Sequence, residues 1–183
     1  MSPPLQNAVG LFFDKVAEEK IKAAWTTIAQ LTGLPNQLGG MDHARPHISL
    51  GLFSAGQPQK ILEALAELAS TQAPFQVQFE SIGMFDIPHG ILFLGPVPTH
   101  ALLAFHKKCH ARIGGLAKDW QKFYLPEKLI FHCSLNIGLQ EEDLLRAAKA
   151  ALQVPLPIVA RAESAGLLQP GNSLANQTFP FAD

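Results

Sequence analysis

One order of predicted elements, strand, helix, strand, helix, strand, occurs twice along this 183-residue chain. The first copy covers roughly residues 7–85 and the second roughly 90–169, followed by a tail over 170–183. A shift of 85 residues brings the strand at 90–97 onto the region of the strand at 7–13, although the two halves share little identity. A repeat this long is too large for a solenoid unit. It predicts two similar lobes that face each other across a pseudo-twofold cleft.

The element boundaries follow from hydrophobic periodicity and from the residues that begin or end helices. Asp14 is a predicted N-cap, Gly33 a predicted helix stop, and Pro58 suits a first helical turn. The predicted strands are 7–13, 45–53, 74–85, 90–97, 128–139 and 156–169, the last with a bulge. The predicted helices are 14–33, 58–70, 99–113 and 141–153. Loops are predicted at 34–44, at 88–90 and at 114–126, and the tail is expected either to return as an edge strand or to stay loose.

Composition and charge narrow the class of protein. With 48% apolar residues, the chain can bury one substantial core, and we expect residues 1–183 to form a single, monomeric domain. The net charge of −1 argues against non-specific DNA binding. We find neither a secretory signal nor an apolar run long enough to span a membrane. The two cysteines form no CxxC motif, so reduced thiols in a cytoplasmic protein are expected.

Two predicted strands, one in each half, carry the same His-x-Ser pattern 85 residues apart. Because side chains alternate across a strand, each histidine shares a face with the serine two residues later. The polar faces are His47, Ser49 and Gly51 in one strand and His132, Ser134 and Asn136 in the other. The opposite faces are Ile48, Leu50 and Leu52, and Cys133, Leu135 and Ile137, and we expect helices to pack on them. A single His-x-Ser is a weak signal, but two copies at matching places in a repeated unit favour a shared site.

This constellation suits phosphodiester chemistry. An unperturbed imidazole titrates near pH 6.5, so it can act as a base or as an acid at neutral pH. Cleavage of a phosphodiester needs a base to activate the attacking oxygen and an acid to protonate the leaving oxygen. Two histidines on opposite sides of one phosphorus supply both groups, and serine hydroxyls can donate to the non-bridging oxygens. The residues leave open which histidine is the base.

The segments His47-Ile48-Ser49-Leu50 and His132-Cys133-Ser134-Leu135 resemble the paired His-x-Thr/Ser-hydrophobic signature of the 2H phosphoesterase superfamily, nearest its bacterial 2′-5′ RNA ligase-like group. The resemblance implies a bilobal α+β fold, with two antiparallel sheets lining a central cleft and helices outside. It also implies cyclic phosphodiesterase activity on 2′,3′-cyclic phosphate ends, with 2′-5′ ligation as a related reaction and no metal or cofactor. His47 and His132 are then the acid–base pair, and Ser49 and Ser134 bind phosphate in positions where Thr is common.

Three further residues are weaker candidates for substrate contacts: Arg45, Tyr124 and Asn136. Arg45 lies two residues before His47, so its side chain is expected on the same face of the strand. It could contact a phosphate, but a solvated arginine at the strand entrance is equally compatible with its position. Tyr124 precedes the second motif and could stack on a base, although packing is the commoner role. His106 and His110 have helical metal-ligand spacing around Cys109, but without a third ligand nearby we predict no metal site.

Two alternatives to a phosphodiesterase acting on RNA ends or small cyclic nucleotides remain. The first is an RNA- or nucleotide-binding module of the same fold with little turnover, which a degraded motif would have favoured. The second is an esterase with a serine nucleophile. The absence of a G-x-S-x-G motif disfavours it, as does the position of each serine in a strand beside its own histidine.

Overall fold

A computed structural model describes residues 7–38, 44–85, 90–169 and 177–182. Its strands are β1 (Asn7–Phe13), β2 (His47–Gly56), β3 (Phe75–Phe85), β4 (Gly90–Pro96), β5 (Ala117–Trp120), β6 (Cys133–Leu139), β7 (Ile158–Leu168) and β8 (Gln177–Pro180). Its helices are α1 (Lys15–Thr32), α2 (Pro58–Ser70), α3 (His100–Ile113) and α4 (Glu141–Ala151), with a short 3-10 helix at Lys122–Tyr124.

The helix boundaries follow the capping chemistry expected from the sequence. The Asp14 carboxylate accepts a hydrogen bond from the Ala17 amide at 3.0 Å and so satisfies one unpaired donor of α1. Gly33 ends α1 at a φ of 68°, a left-handed conformation that glycine adopts without a steric penalty. Pro58 lies in the first turn of α2. These three predictions are confirmed.

All strands pair antiparallel, in the order β5-β2-β1-β7-β3-β4-β6, with β8 added on β7. Without β5 and β8, this order is symmetric: exchanging β1 with β4, β2 with β6 and β3 with β7 reproduces it. This symmetric order agrees with the expectation that each strand of the first half corresponds to one strand of the second half. That the halves arose by duplication stays a prediction.

The α+β class and the antiparallel pairing are confirmed, but the expectation of two separate sheets needs correction. The described strands form one sheet because β3 pairs with β7 across its centre. That pairing is confined to Phe75–Phe79 of β3 and Ile158–Ala162 of β7. Beyond it, β7 pairs with β1 and β8, and β3 pairs with β4. Within the sheet, the strands β5-β2-β1-β7 on one side and β3-β4-β6 on the other are therefore joined only over this short central stretch.

The terminal strands of the symmetric order come together in space. β2 and β6 are in contact, and the backbone N–H of His47 lies against the Cys133 sulfur. The helices cross between halves in the same way, since α1 packs against α4 and α2 against α3. None of the helices in the described ranges is long and apolar enough to cross a membrane. This arrangement brings the starts of the two His-x-Ser segments side by side.

Several predicted boundaries differ from the structure. The segment predicted as a loop at 114–126 contains β5 and the 3-10 helix, because β5 pairs with the end of β2. The strand predicted from 128 begins only at Cys133, so His132 lies directly before it. The edge-strand alternative for the tail is confirmed over Gln177–Pro180, and β7 has the expected bulge. Residues 1–6, 39–43, 86–89, 170–176 and 183 lie outside the described residues, and they include part of the loop predicted at 34–44 and most of the turn predicted at 88–90.

Candidate active site

His47 is the first residue of β2 and its side chain is half-buried. Its Nδ1 atom lies 2.8 Å from the carbonyl oxygen of Arg45, two residues earlier in the chain. The intervening Pro46 keeps the chain extended at the strand entrance, as the residue types predict. The hydrogen bond fixes the direction in which the ring points.

His132 has the same local arrangement in the second half. It directly precedes β6, is 8% exposed, and its Nδ1 lies 2.8 Å from the carbonyl oxygen of Ile130, again two residues earlier. Because a carbonyl oxygen only accepts hydrogen bonds, Nδ1 carries the proton in both histidines. Nε2 is therefore the nitrogen of each ring that takes up or releases a proton, which matches the requirement for an acid–base pair.

Each His-x-Ser strand contains a bulge at the same position. Ser49 and Gly51 of β2 pair with adjacent residues of β1, so Leu50 is the extra residue. Ser134 and Asn136 of β6 likewise pair with adjacent residues of β4, so Leu135 is the extra residue. Bulges commonly occur beside active sites, where they redirect side chains. Here each bulge lies directly after the serine, and both serines are half-buried.

The bulges change the faces predicted by simple alternation. Leu52 was expected on the buried face but is half-buried, while Phe53 is 1% exposed. Asn136 was expected beside His132 and Ser134, but it is 1% exposed and its side-chain oxygen accepts the Ile137 amide at 2.9 Å. The Asn136 amide nitrogen lies 3.5 Å from the Pro35 carbonyl oxygen. These bonds favour a structural role for Asn136 over a substrate contact.

A phenylalanine from the neighbouring strand lies beside each histidine. The ring of Phe12 in β1 is 5.7 Å from that of His47, and the ring of Phe93 in β4 is 5.4 Å from that of His132. Phe85 also meets His132 edge-on at 5.0 Å. The sequence pattern alone does not reveal these ring contacts, because they depend on which residues pair across the strands. They restrict the motion of both imidazoles.

The Phe93 ring packs directly over Gly83, in space that a larger residue would fill with its side chain. A Cβ atom at this position would lie 2.4 Å from two Phe93 ring carbons, closer than van der Waals contact allows. We expect Gly83→Ala to push the Phe93 ring towards His132 and to lower the catalytic rate by on the order of tenfold to a hundredfold, since a misplacement of about 1 Å is that costly. The rate constant kcat of the purified variant measures this effect.

Gly115→Ala is the matched control for that substitution. A Cβ atom at Gly115 meets nothing within 4 Å, so the added methyl group is free of clashes. We expect the control to keep the wild-type kcat. Equal rates for both alanine variants would show that the Phe93 ring does not position His132.

Burial and charge set the protonation of the pair. Burial is the main cause that lowers the pKa of His47, while the hydrogen bond to the backbone carbonyl of Arg45 raises it. The positive charges of His132 and of the Arg45 side chain lower this pKa further. Burial also lowers the pKa of His132, opposed by the hydrogen bond to Ile130. The charge of one histidine thus acts on the other, which places both in one electrostatic neighbourhood.

Arg45 lies at the site but already has a partner. Its Nε and Nη2 atoms bind the same carboxylate oxygen of Glu18, at 2.9 and 2.6 Å, and its guanidinium lies 4.6 Å from the centre of the Phe12 ring. Glu18, on α1, was not predicted, because nothing in the helix pattern separates it from other acidic residues of the exposed face. The pair holds a positive charge near His47 while offsetting part of it.

Tyr124 lies on the other side of the site, in the 3-10 helix. Its ring centre is 6.4 Å from that of His132, and burial raises the pKa of its hydroxyl to about 12. The phenol is therefore neutral at physiological pH and can donate a hydrogen bond. The structure places this predicted candidate beside His132, with its side chain half-buried.

The other histidines of interest occupy different surroundings. His106 is 1% exposed and lies within hydrogen-bond distance of two backbone carbonyls, while burial raises the pKa of the Cys109 thiol to about 12. Within the described ranges, no three His, Cys, Asp or Glu side chains come together in a group that could hold a metal ion. Two surface cavities of about 260 and 310 Å³ lie elsewhere and are not lined by His47 or His132.

Comparison with known proteins adds an independent result to this geometry. The sequence profile of the 2′-5′ RNA ligase superfamily matches residues 17–173, a span that includes both His-x-Ser segments. The chain belongs to this superfamily. The resemblance inferred from the two motifs is thereby confirmed. No curated protein matches the sequence.

Solved structures of low sequence identity share the fold. Apo LigT from E. coli superposes with a TM-score of 0.62 at 13% identity, covering 98% of this chain and 96% of LigT. TT0787 of Thermus thermophilus gives 0.61 at 14% identity, covering 96% and 94% of the two chains. Usb1 of Kluyveromyces marxianus gives 0.56 at 9% identity, covering 97% and 99%. LigT has also been solved with 3′-AMP and Usb1 with uridine monophosphate.

Proposed function

We propose that this protein is a phosphodiesterase that opens 2′,3′-cyclic phosphates at RNA ends or on small nucleotides, with His47 and His132 as the acid–base pair. Membership of the 2′-5′ RNA ligase superfamily supports a phosphodiesterase that acts on RNA or nucleotides. The observation that carries the finer proposal is the matched pair of Nδ1–carbonyl hydrogen bonds, each 2.8 Å long. Two neighbouring rings thereby present the same nitrogen, Nε2, for proton transfer.

The proposed reaction needs one proton transfer at each ring. The Nε2 atom of one histidine takes a proton from water as the water oxygen bonds to phosphorus. The bond between phosphorus and one ribose oxygen breaks, and the other histidine, protonated at Nε2, gives its proton to that oxygen. A nucleoside 2′- or 3′-monophosphate is the product. If a 5′-hydroxyl replaces water, the same transfers yield ligation.

The surrounding charges favour His47 as the base. Burial lowers the pKa of both rings, and the positive charge of Arg45 lowers that of His47 further, so His47 is the ring that more readily stays neutral. Burial is the main cause that lowers the pKa of His132, and repulsion between the two protonated rings acts on both, so it does not distinguish them. We therefore assign the acid to His132. The hydroxyls of Ser49 and Ser134 donate to the non-bridging oxygens, on which charge builds up in the transition state.

These pKa directions predict an acidic optimum. The base must have lost its proton, so kcat/KM rises with pH through the pKa of His47. The acid must hold its proton, so kcat/KM falls as pH rises through the pKa of His132. Because both values are lowered from 6.5, we expect a bell-shaped profile of kcat/KM with its maximum below pH 6.5. An optimum above neutrality, or a flat profile through the range, contradicts the assignment.

The variant Arg45→Gln tests which limb of the pH profile of kcat/KM reports the titration of His47. Loss of the guanidinium removes one cause that lowers the pKa of His47, so the acidic limb should move to higher pH while the basic limb stays in place. The profile of kcat/KM for the variant measures this movement. Movement of the basic limb instead would exchange the roles of the two histidines.

The experiment that tests the function uses the wild-type chain with the four nucleoside 2′,3′-cyclic phosphates. Phosphorus NMR distinguishes the 2′- from the 3′-monophosphate and shows which ribose oxygen leaves. We expect turnover to a single regioisomer. Tight binding of 3′-AMP without any turnover would support the alternative of a nucleotide-binding module. Turnover only of carboxylic esters would refute the proposal.

A further inference from the structure

Trp25 links the first half of the chain to the motif strand of the second half. It lies on α1 and is 5% exposed, and its indole N–H donates to the Ser134 carbonyl oxygen at 3.0 Å. Ser134 is the serine of the second motif, and its carbonyl directly precedes the extra residue of the β6 bulge. A buried helix residue is thus bonded to the backbone two residues from His132.

His106 makes the reciprocal link. It lies on α3, in the second half, and its Nε2 is 2.9 Å from the carbonyl oxygen of Leu50, the extra residue of the β2 bulge. The same Nε2 is 3.2 Å from the carbonyl oxygen of Tyr124, whose ring lies beside His132. Both acceptors are carbonyl oxygens, so Nε2 carries the proton and is the donor. The ring also meets Phe131, the residue before His132, edge-on at 5.3 Å.

The two acceptors lie where the motif strands have least support from other strands. Within the described residues, β6 ends the strand order and β5 pairs with β2 only from Phe53 onward. The regular ladder is also interrupted at both bulges. A movement of the backbone at such a point would break the hydrogen bond from the ring N–H and leave a buried carbonyl oxygen without a partner. Because this raises the free energy of the folded chain, each hydrogen bond restricts the backbone locally.

We propose that Trp25 and His106 are positioning residues that set the distance between the two His-x-Ser segments, each by a hydrogen bond from the helix of one half to the bulge in the opposite half. His106 additionally holds the backbone of Tyr124 against the first motif strand. This inference rests on the proposed function only for its effect on the rate. The positions of the two imidazoles are a property of the fold and are measurable separately.

Trp25→Phe removes the donor while keeping an apolar ring in place. His106→Leu removes the other donor, and His106→Gln restores an amide N–H close to the position of Nε2. We expect Trp25→Phe and His106→Leu to lower kcat by about tenfold or more with a smaller change in KM, because the reacting groups are misplaced. His106→Gln should recover much of that loss.

Ile28→Val is the control for a general loss of stability. Ile28 lies on α1, three residues after Trp25, and is 1% exposed, so the substitution loosens the same helix without removing a donor. We expect it to lower Tm by an amount similar to that of Trp25→Phe and to keep kcat. If Ile28→Val lowers kcat equally, or if His106→Gln is as slow as His106→Leu, the positioning role is refuted.

A second readout does not depend on activity. NMR titration of the ring protons of His47 and His132 reports their pKa values, which are below 6.5 because the rings are buried and close together. We expect the titration midpoints to move towards 6.5 in Trp25→Phe and His106→Leu, and to stay in place in Ile28→Val. Unchanged midpoints in the first two variants overturn the inference even if the wild-type chain is active. Shifted midpoints in a chain that turns over no cyclic phosphate support the inference and refute the proposed function.

Discussion

His47→Ala and His132→Ala are each expected to lower kcat for a 2′,3′-cyclic phosphate by about 10²–10⁴-fold, the usual contribution of a positioned acid or base. In each variant, one of the two proton transfers loses its side chain and has to proceed through water. The double variant should be little slower than either single variant, because groups that act as a unit are not additive. Initial rates of monophosphate release measure all three.

The controls separate chemistry from folding. His132 is 8% exposed and packs on Phe85 and Phe93, so alanine leaves a gap there, and His132→Gln keeps most of the volume. We expect the glutamine variant to be as inactive as the alanine variant while keeping more of the wild-type Tm. His100→Ala, at the exposed start of α3, should keep full activity. Retention of more than a tenth of the wild-type rate in either active-site variant would exclude paired acid–base catalysis.

The features that the sequence predicted correctly are those coded by local patterns. Helix ends follow from short-range hydrogen bonds, as at Asp14, and from left-handed backbone, as at Gly33. The two His-x-Ser segments are recognisable because each lies in an apolar stretch at the same place in a repeated order. Their spacing therefore predicted one site, and the family comparison and the common environment of His47 and His132 support that prediction.

The features that the sequence could not predict depend on contacts between distant segments. The bulges that bury Asn136 and half-expose Leu52 come from one-residue mismatches with β4 and β1, and a strand read alone shows no such mismatch. β5 pairs with the end of β2, where Trp120 lies opposite Phe53 and its ring packs against the position of Gly51. Central pairing of β3 with β7 likewise joins into one sheet the strands that the family resemblance implied to form two.

The packing around the histidines was missed for the same reason. Phe12 and Phe93 are ordinary core residues by pattern, and their contacts with His47 and His132 depend on strand register. Trp25 and His106 are buried on α1 and α3, and the acceptors of their N–H groups lie 109 and 56 residues away in the sequence. A hydrogen bond over such a separation has no local signal. The sequence thus reveals the reacting groups more readily than the residues that hold them.

Ser49→Ala and Ser134→Ala are each expected to lower kcat by about 10²–10³-fold, the effect of losing one donor to an oxyanion that forms in the transition state. The loss should fall mainly on kcat, because the non-bridging oxygens gain charge as the bond to water forms. Both serines are half-buried, and each follows its histidine by two residues on a bulged strand. Neither backbone should change, since alanine fits wherever serine does.

Threonine at the same positions distinguishes hydroxyl donation from shape. Ser49→Thr and Ser134→Thr keep the donor, and threonine is the common residue of the related signature, so we expect rates within about tenfold of wild type. Ser54→Ala is the control on the same strand: Ser54 bonds to Asp119 at 3.3 Å, beyond the bulge, and its loss should leave kcat unchanged. If the threonine and alanine variants are equally slow, the serines act by their size. The stabilising charge then has to come from another donor, such as the guanidinium of Arg45, whose positive charge acts on His47.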